Sequence, residues 1–156
     1  KKVVSGKNEQ PFVDSRHNFY ILKYVTSRIL CPEKVFIENN SKSVLRSFAL
    51  SGGTYFQACN GIYIGEETVF AHGVSVVTIE HDHKKIHGIG KKGQVIIGKK
   101  CWLGAKATIV SGIELGNNTI VGANSVVTKS FPKGHVVIAG VPAKVIRNIP
   151  CSGNKE

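Results

Sequence analysis

An aliphatic residue recurs at every sixth position along the later part of this 156-residue chain. A period of six matches neither the 3.6 of an α-helix nor the alternation of a simple strand. It predicts a triangular coil with three flat strands and three tight corners per turn, in which the recurring residue points inward. The residues of the pattern are Ile97, Leu103, Ile109, Leu115, Val121 and Val127, and the same spacing appears upstream at Ile64, the aromatic Phe70 and Val76.

The residues between the aliphatic positions fit the same coil. Small residues occur four places later, at Cys101, Ala107, Thr119 and Ser125. Asn117–Asn118 and Ala123–Asn124 fall at corners, where positive φ is common and Asn tolerates it. Stacking should place Ile97 below Leu115, Leu103 below Val121 and Ile109 below Val127, and so bury one continuous column. The pattern predicts an all-β parallel β-helix of hexapeptide repeats; an ordinary β-sandwich is the alternative.

The chain before residue 50 lacks the repeat. Apolar residues over 12–30 have near-helical spacing and predict a helix, whereas Val35–Ile37 and Val44–Leu45 predict short strands. Together they should form an imperfect coil that caps the column, because open β-helix ends expose unpaired strand edges. The predicted organisation is an N-terminal segment with a capping coil at 1–49, the β-helix at 50–147 and a short tail at 148–156.

The repeat is interrupted between Val76 and Ile97, which predicts an excursion loop at about residues 82–94. His81 stands at the root of this loop. An imidazole, with an unperturbed pKa of ~6.5, suits proton transfer near neutral pH. From the residues alone, a catalytic His81 and a His81 that merely caps the loop are equally good interpretations.

The formal net charge of +11 indicates an anionic partner, either nucleic acid or a ligand with several phosphates. No nucleic-acid-binding motif accompanies the charge, so we expect no nucleic-acid partner. No apolar run approaches the ~20 residues that span a bilayer, and we expect no membrane insertion. No signal peptide is visible. The chain begins Lys1-Lys2 and contains no Met, so we expect its native start to be missing.

The cysteines are scattered and form no C-x-x-C pair, which argues against a zinc knuckle. We therefore expect reduced, mostly buried thiols and a cytoplasmic protein. The four are Cys31, Cys59, Cys101 and Cys151.

Beyond the repeat itself, several segments resemble the hexapeptide-repeat acyltransferases, and most closely the sugar O-acetyltransferases related to maltose and galactoside acetyltransferases. The resemblance covers roughly residues 50–147. It implies a left-handed β-helix and acetyl-coenzyme A (acetyl-CoA) as co-substrate, with no metal. The segments are Asn60–Gly65, Ala71–Val74, Glu80–Asp82, Val126–Lys129 and Ala139–Arg147.

The same resemblance implies roles for individual residues. His81 would be the catalytic base, the Ala105 amide the oxyanion donor, and His83 a contact of the acceptor. Lys and Arg suit phosphate groups through charge and multiple donors. The residues implied for cofactor binding are Trp102 beside the groove, Ala105 and Ala123 along the pantetheine arm, and Thr128, Lys129, Lys144 and Arg147 at the phosphates.

The function that these features predict is acetyl transfer to a hydroxyl of a sugar or glycan precursor in polysaccharide biosynthesis. The resemblance also implies a homotrimer with active sites between subunits. Three alternatives remain open: N-acetylation of a nucleotide-linked amino sugar, a γ-class carbonic anhydrase-like zinc protein using histidines such as His72, His83 and His87, and a purely structural trimerisation module.

Overall fold

A computed structural model describes residues 10–14, 19–82 and 85–150. Within them the chain forms strands and one α-helix, with 3-10 turns at Pro32–Lys34 and Glu38–Asn40. The helix α1 is Lys42–Leu50. The strands are β1 Gln10–Asp14, β2 Phe19–Lys23, β3 Arg28–Leu30, β4 Val35–Ile37, β5 Tyr55–Gln57, β6 Ile62–Ile64, β7 Val69–Phe70, β8 Ser75–Val77, β9 Ile79–Asp82, β10 Lys85–Lys92, β11 Val95–Ile97, β12 Trp102–Leu103, β13 Thr108–Ile109, β14 Glu114–Leu115, β15 Thr119–Val121, β16 Val126–Val127, β17 Val136–Gly140 and β18 Ala143–Asn148.

Three sheets form the sides of a triangular prism. The first side contains β3, β5, β8, β13 and β16; the second contains β4, β6, β11 and β14; the third contains β7, β12, β15, β17 and β18. All neighbours pair in parallel except β17 and β18, which are antiparallel. The chain passes from the first side to the second and then to the third. We call the turn after the first side the first corner, and the next two the second and third corners.

The predicted inward column is confirmed. Ile97, Leu103, Ile109, Leu115 and Val127 are fully buried, and so are the small residues at the predicted positions. The predicted stacking is also observed, because Ile97 pairs in register with Leu115, Leu103 with Val121 and Ile109 with Val127. Corresponding positions are 18 residues apart in the uninterrupted part, as in the bond from Lys99 to Asn117, and 33 across the excursion, as in the bond from Cys101 to Thr68.

The predicted corner residues adopt positive φ, with 55° at both Asn118 and Asn124. The same conformation occurs at Glu67, Lys100 and Lys106, with φ of 58°, 55° and 58°. Side chains of this kind do not prefer it. The stacking of each corner on its neighbour therefore imposes the conformation, whichever residue occupies the position.

Two expectations for the first fifty residues are wrong. The predicted helix over 12–30 is instead an antiparallel hairpin of β1 and β2, followed by β3 on the first side. The predicted strand at Val44–Leu45 lies within α1, whereas the strand at Val35–Ile37 is confirmed as β4. Apolar spacing alone did not distinguish these structures, because a short apolar segment suits a hairpin and a helix equally well.

Helix α1 replaces the third strand of the first coil and closes that end of the column. Phe48 is fully buried, and its ring centroid lies 4.8 Å from those of Phe56 and Phe70. The helix and its C-cap also complete the edge strand β7: Ser47 Oγ accepts a hydrogen bond from the Phe70 amide, and Ser51 Oγ donates one to its carbonyl. The edge is thus covered rather than left open to other strands.

The expectation of reduced thiols is wrong for two of the four cysteines. Cys31 and Cys59 form a disulfide with a Cα–Cα distance of 5.1 Å. They are 28 positions apart in sequence, and only the coil brings them together, one above the other at the first corner. Cys101 is free and buried as expected, and Cys151 lies outside the described residues.

No helix among the described residues is both long and apolar enough to cross a membrane.

Candidate active site

The excursion from the column is a two-stranded antiparallel ribbon formed by β9 and β10. Its backbone register pairs Lys92 with Ile79, Ile89 with His81 and Lys85 with Asp82. The excursion starts at Ile79 rather than near Asp82, so His81 lies within a paired strand instead of ahead of an irregular loop. His83 lies outside the described residues, and its contact with an acceptor stays a prediction.

A hydrogen-bond network at the first corner holds the root of this hairpin. Thr78 is fully buried; its Oγ1 donates to the Gln57 carbonyl at 2.8 Å and accepts from the Asn60 amide at 3.0 Å. Asn60 Nδ2 donates to the Thr78 carbonyl at 2.9 Å, and the Ile79 amide donates to Gln57 Oε1 at 3.2 Å. Sequence reasoning missed this network, because its members are brought together by the coil and share no spacing pattern.

Ala105 and Ala123 stack at the third corner, as the resemblance implies. The Asn124 amide donates to the Ala105 carbonyl at 2.8 Å, Ala105 is half-buried and Ala123 is exposed. A Cβ on Gly104 would lie only 2.6 Å from the Ala123 nitrogen, so glycine is required for this close approach. The result is a corner with little side-chain bulk, past which a thin ligand could lie close to the backbone.

Trp102 and Arg147 share one outward row on the third side. In register, Trp102 pairs with Ile120, Ile120 with Val137, and Val137 with Arg147. Trp102 is 53% exposed, so its indole is available to a ligand rather than used in packing. Lys144 is exposed on the same edge strand, β18.

Thr128 and Lys129 lie elsewhere, at the first corner beyond β16. Both are exposed. Ser111 Oγ, one coil before them at this corner, donates to the Thr78 carbonyl at 3.2 Å and so connects the corner to the hairpin root.

The predicted residues therefore fall into two groups. His81, Thr128 and Lys129 belong to the first corner, and the remaining cofactor residues belong to the third side and the third corner. The first corner is opposite the third side, and the third corner lies at the other end of the first side, so the two groups occupy different parts of the surface of one chain.

The histidines considered for zinc are also spread apart. His72 is exposed at the third corner, where its carbonyl accepts from the Lys106 amide at 3.0 Å, whereas His87 is on β10 of the hairpin. Within the described ranges, no three His, Cys, Asp or Glu side chains are grouped as metal ligands.

The second corner carries a charge ladder. Lys99 Nζ lies 3.0 Å from Glu38 Oε1 and 3.2 Å from Glu66 Oε2. The hydrogen bond from Lys99 holds the pKa of Glu38 below its usual value, and bonds from Asn39 and Lys99 do the same for the pKa of Glu66. The two carboxylates raise the pKa of Lys99. This ladder links three successive coils and lies away from both groups of predicted site residues.

Comparison with known proteins agrees with the repeat. The hexapeptide repeat of succinyl-transferases matches residues 94–129. The putative colanic acid biosynthesis acetyltransferase WcaF of Escherichia coli K12 is 40% identical over 89 residues, which are 54% of this chain and 48% of WcaF. The chain thus spans about half the length of the relatives it matches.

Two solved structures share the fold. A maltose O-acetyltransferase from Clostridium difficile 630 superposes with a TM-score of 0.59 and 28% identity, over 76% of this chain and 68% of that one. Galactoside acetyltransferase in complex with coenzyme A gives a TM-score of 0.54 and 26% identity, over 80% and 63%. These similarities confirm the left-handed parallel β-helix that the repeat and the resemblance predicted.

Proposed function

We propose that this chain, a relative of the hexapeptide-repeat acyltransferases by repeat, sequence and fold, moves the acetyl group of acetyl-CoA to a hydroxyl of a sugar or glycan precursor. The observation that carries the proposal is the break in the column after β8: a hairpin leaves the column there and holds His81 on β9. The similar galactoside acetyltransferase binds coenzyme A, and WcaF is named for polysaccharide biosynthesis, which supports the donor and the class of acceptor.

In this reaction His81 acts as the general base. It takes the proton of the acceptor hydroxyl while that oxygen attacks the acetyl carbonyl, since a neutral hydroxyl is a poor nucleophile. The backbone amide of Ala105 donates to the oxyanion of the tetrahedral intermediate. Collapse of the intermediate breaks the carbon–sulfur bond, and the departing thiolate receives the proton from His81.

The donor lies along the third side and its corner. Ala123 holds the pantetheine arm, and exposed Trp102 flanks it. Lys144 and Arg147 bind the phosphates from this side. Thr128 and Lys129 bind them from the first corner of a neighbouring copy of the chain. This role accounts for part of the net charge of +11.

A homotrimer with active sites between subunits completes the arrangement. The support is the division of the predicted residues between the first corner and the opposite side of one chain. A neighbouring copy whose first corner faces that side brings His81, Thr128 and Lys129 to the donor, and cyclic symmetry repeats the contact three times.

The cytoplasm is the proposed location because it supplies acetyl-CoA. The cysteines give this location no support, because Cys31 and Cys59 form a disulfide.

The test is a panel of acceptors incubated with acetyl-CoA. The panel contains free sugars, oligosaccharides and nucleotide-linked sugars with and without an amino group. We expect release of free coenzyme A thiol with a sugar hydroxyl acceptor and a product heavier by one acetyl group. Transfer only to an amino group would favour the N-acetyltransferase alternative. No thiol release above hydrolysis with any acceptor, together with tightly bound zinc and carbon dioxide hydration, would contradict the proposal.

A further inference from the structure

We propose that Gln57 and Asn60 are positioning residues for His81, which they hold in place through the hydrogen-bond network at the hairpin root. This inference rests on the proposed function, because it assumes that the place of His81 matters for acetyl transfer. We call Gln57, Asn60, Thr78, Ile79 and Ser111 the clasp.

Gln57 continues the sheet where the chain leaves it. The parallel register of the first side pairs Gln57 with Val77, and two residues later the chain departs into the hairpin. The Ile79 amide lies beyond the last paired position of this register, and Gln57 Oε1 accepts its hydrogen bond. The half-buried Gln57 side chain thus accepts the bond that a strand carbonyl would accept in the sheet, and it sets the direction in which β9 starts.

Asn60 makes two hydrogen bonds to Thr78, the residue before Ile79. Its amide donates to Thr78 Oγ1 and its Nδ2 donates to the Thr78 carbonyl. From the far side of the hairpin, Ser111 Oγ and the Gly93 amide donate to the same carbonyl, both at 3.2 Å. A fully buried polar residue needs such partners, and these come from the coil below, the residue that follows β10 and the coil above.

The base of the clasp is itself fixed. Cys59 lies between Gln57 and Asn60, and its disulfide to Cys31 ties this turn to the first coil. Lys34 Nζ donates to the Cys59 carbonyl at 2.6 Å. The side chains of Gln57 and Asn60 therefore flank a segment that is anchored at two points. A site that depends on exact geometry requires this kind of support.

His81 follows Ile79 by two positions on the same strand, so a change of angle at the root moves its backbone directly. Catalytic groups must be held within about 0.5 Å, and a displacement of about 1 Å can cost about a hundredfold in rate. Gln57 and Asn60 therefore influence turnover without touching the reactants.

The test uses the same chemical change at two positions. Gln57→Glu keeps an acceptor oxygen for the Ile79 amide, whereas Asn60→Asp replaces the donor to the Thr78 carbonyl by a second acceptor. Gln57→Met removes the acceptor at similar size, and Gln94→Met, at an exposed glutamine near the hairpin, is the control. We expect Gln57→Glu and Gln94→Met to keep kcat within about twofold. Gln57→Met and Asn60→Asp should lower it about tenfold or more, with the KM for acetyl-CoA nearly constant.

Hydrogen exchange of the intact protein gives a readout that does not depend on the reaction. Gln57→Met should raise the exchange rate of the Ile79 amide about tenfold, and Gln57→Glu should restore protection, with a similar thermal midpoint for both. Unchanged exchange in Gln57→Met would overturn the clasp whatever His81 does. Faster exchange with unchanged kcat would overturn the positioning role, and equal kcat losses in Gln57→Glu and Asn60→Asp would assign the effect to charge. Normal turnover of His81→Asn in the same assay would contradict the proposed function instead.

Discussion

Single residues in this fold accept conformations that their side chains do not favour. Lys100 at the second corner and Asn124 at the third occupy equivalent positions of their hexads and have the same φ of 55°. The left-handed conformation costs an ordinary residue roughly 1–2 kcal/mol, and asparagine less. The stacked neighbours hold Lys100 there despite the cost.

A reciprocal exchange tests this explanation. Lys100→Asn should raise the free energy of unfolding by about 0.5–1 kcal/mol, and Asn124→Lys should lower it by a similar amount. Urea unfolding at one fixed protein concentration measures both. Changes of the same sign in the two variants would show that side-chain contacts, rather than φ, control these positions.

Removing the charges of Lys129, Lys144 and Arg147 should raise the KM for acetyl-CoA with little change in kcat, because these contacts are remote from the reacting carbonyl. A hydrogen bond to a charged group contributes ~1.5–3 kcal/mol, so each loss should weaken binding roughly ten- to a hundredfold.

Two controls accompany the triple variant: a shorter acetyl donor, and a lysine to which no role in binding is assigned. Acetyl-pantetheine has no nucleotide phosphates, so its KM should stay unchanged in the triple variant. Lys133→Ala, an exposed residue of the same charge, should leave acetyl-CoA binding intact. Equal losses for both donors would mean that the three residues support the fold or the assembly.

At the scale of elements, the sequence predicted those parts in which local and stacking requirements coincide. Every hexad residue from Ile97 to Val127 repeats the same environment, so the period alone placed it in the core. The segment that forms α1 has no such repetition, and Val44 is buried as part of a helix rather than as part of a strand. The clasp could not be predicted, because Gln57 and Ile79 meet only after three sides of the prism have been completed.

The charge ladder at the second corner gives a pH-dependent contribution to stability. Folding lowers the pKa of Glu38 and of Glu66, so their contribution is present above their unfolded pKa of about 4.3 and is lost as the pH falls through the folded value. Folding raises the pKa of Lys99, so its own contribution is lost only at strongly alkaline pH. Lys99→Met should therefore lower Tm clearly at pH 7 and much less in acid, at a pH below the lowered pKa of both carboxylates.

Lys100→Met provides the control for the ladder. Lys100 Nζ is 3.9 Å from Glu67 and both side chains are exposed, so this pair should contribute little at either pH. Equal Tm changes for the two lysine variants would show that the ladder adds nothing beyond an ordinary surface pair.

The disulfide between Cys31 and Cys59 connects the first two coils. Replacing Cys31 and Cys59 by serine should lower the free energy of unfolding by about 3.6 kcal/mol, as the chain-entropy model expects for a loop closed between residues 28 positions apart. Reducing agent should lower the stability of the wild-type protein and leave the double variant unchanged. A wild-type protein with the same stability before and after reduction would contradict this role.

At the scale of the whole molecule, the division of the site between two surfaces predicts complementation. His81→Asn should inactivate the first corner, and Ala123→Trp, at an exposed position, should fill the path of the pantetheine arm. Mixed trimers formed from equal amounts of the two inactive chains should recover about a quarter of the sites by random assortment. Activity that stays at the level of the separate variants would place the whole site within one chain.

Turnover of His81→Asn with the identified acceptor measures whether His81 performs the proton transfer of an acetyltransferase. We expect kcat to fall by ~10²–10⁴-fold while the fold and the affinity for coenzyme A stay nearly unchanged. A purified His81→Asn protein that keeps near-normal turnover would contradict this role of His81.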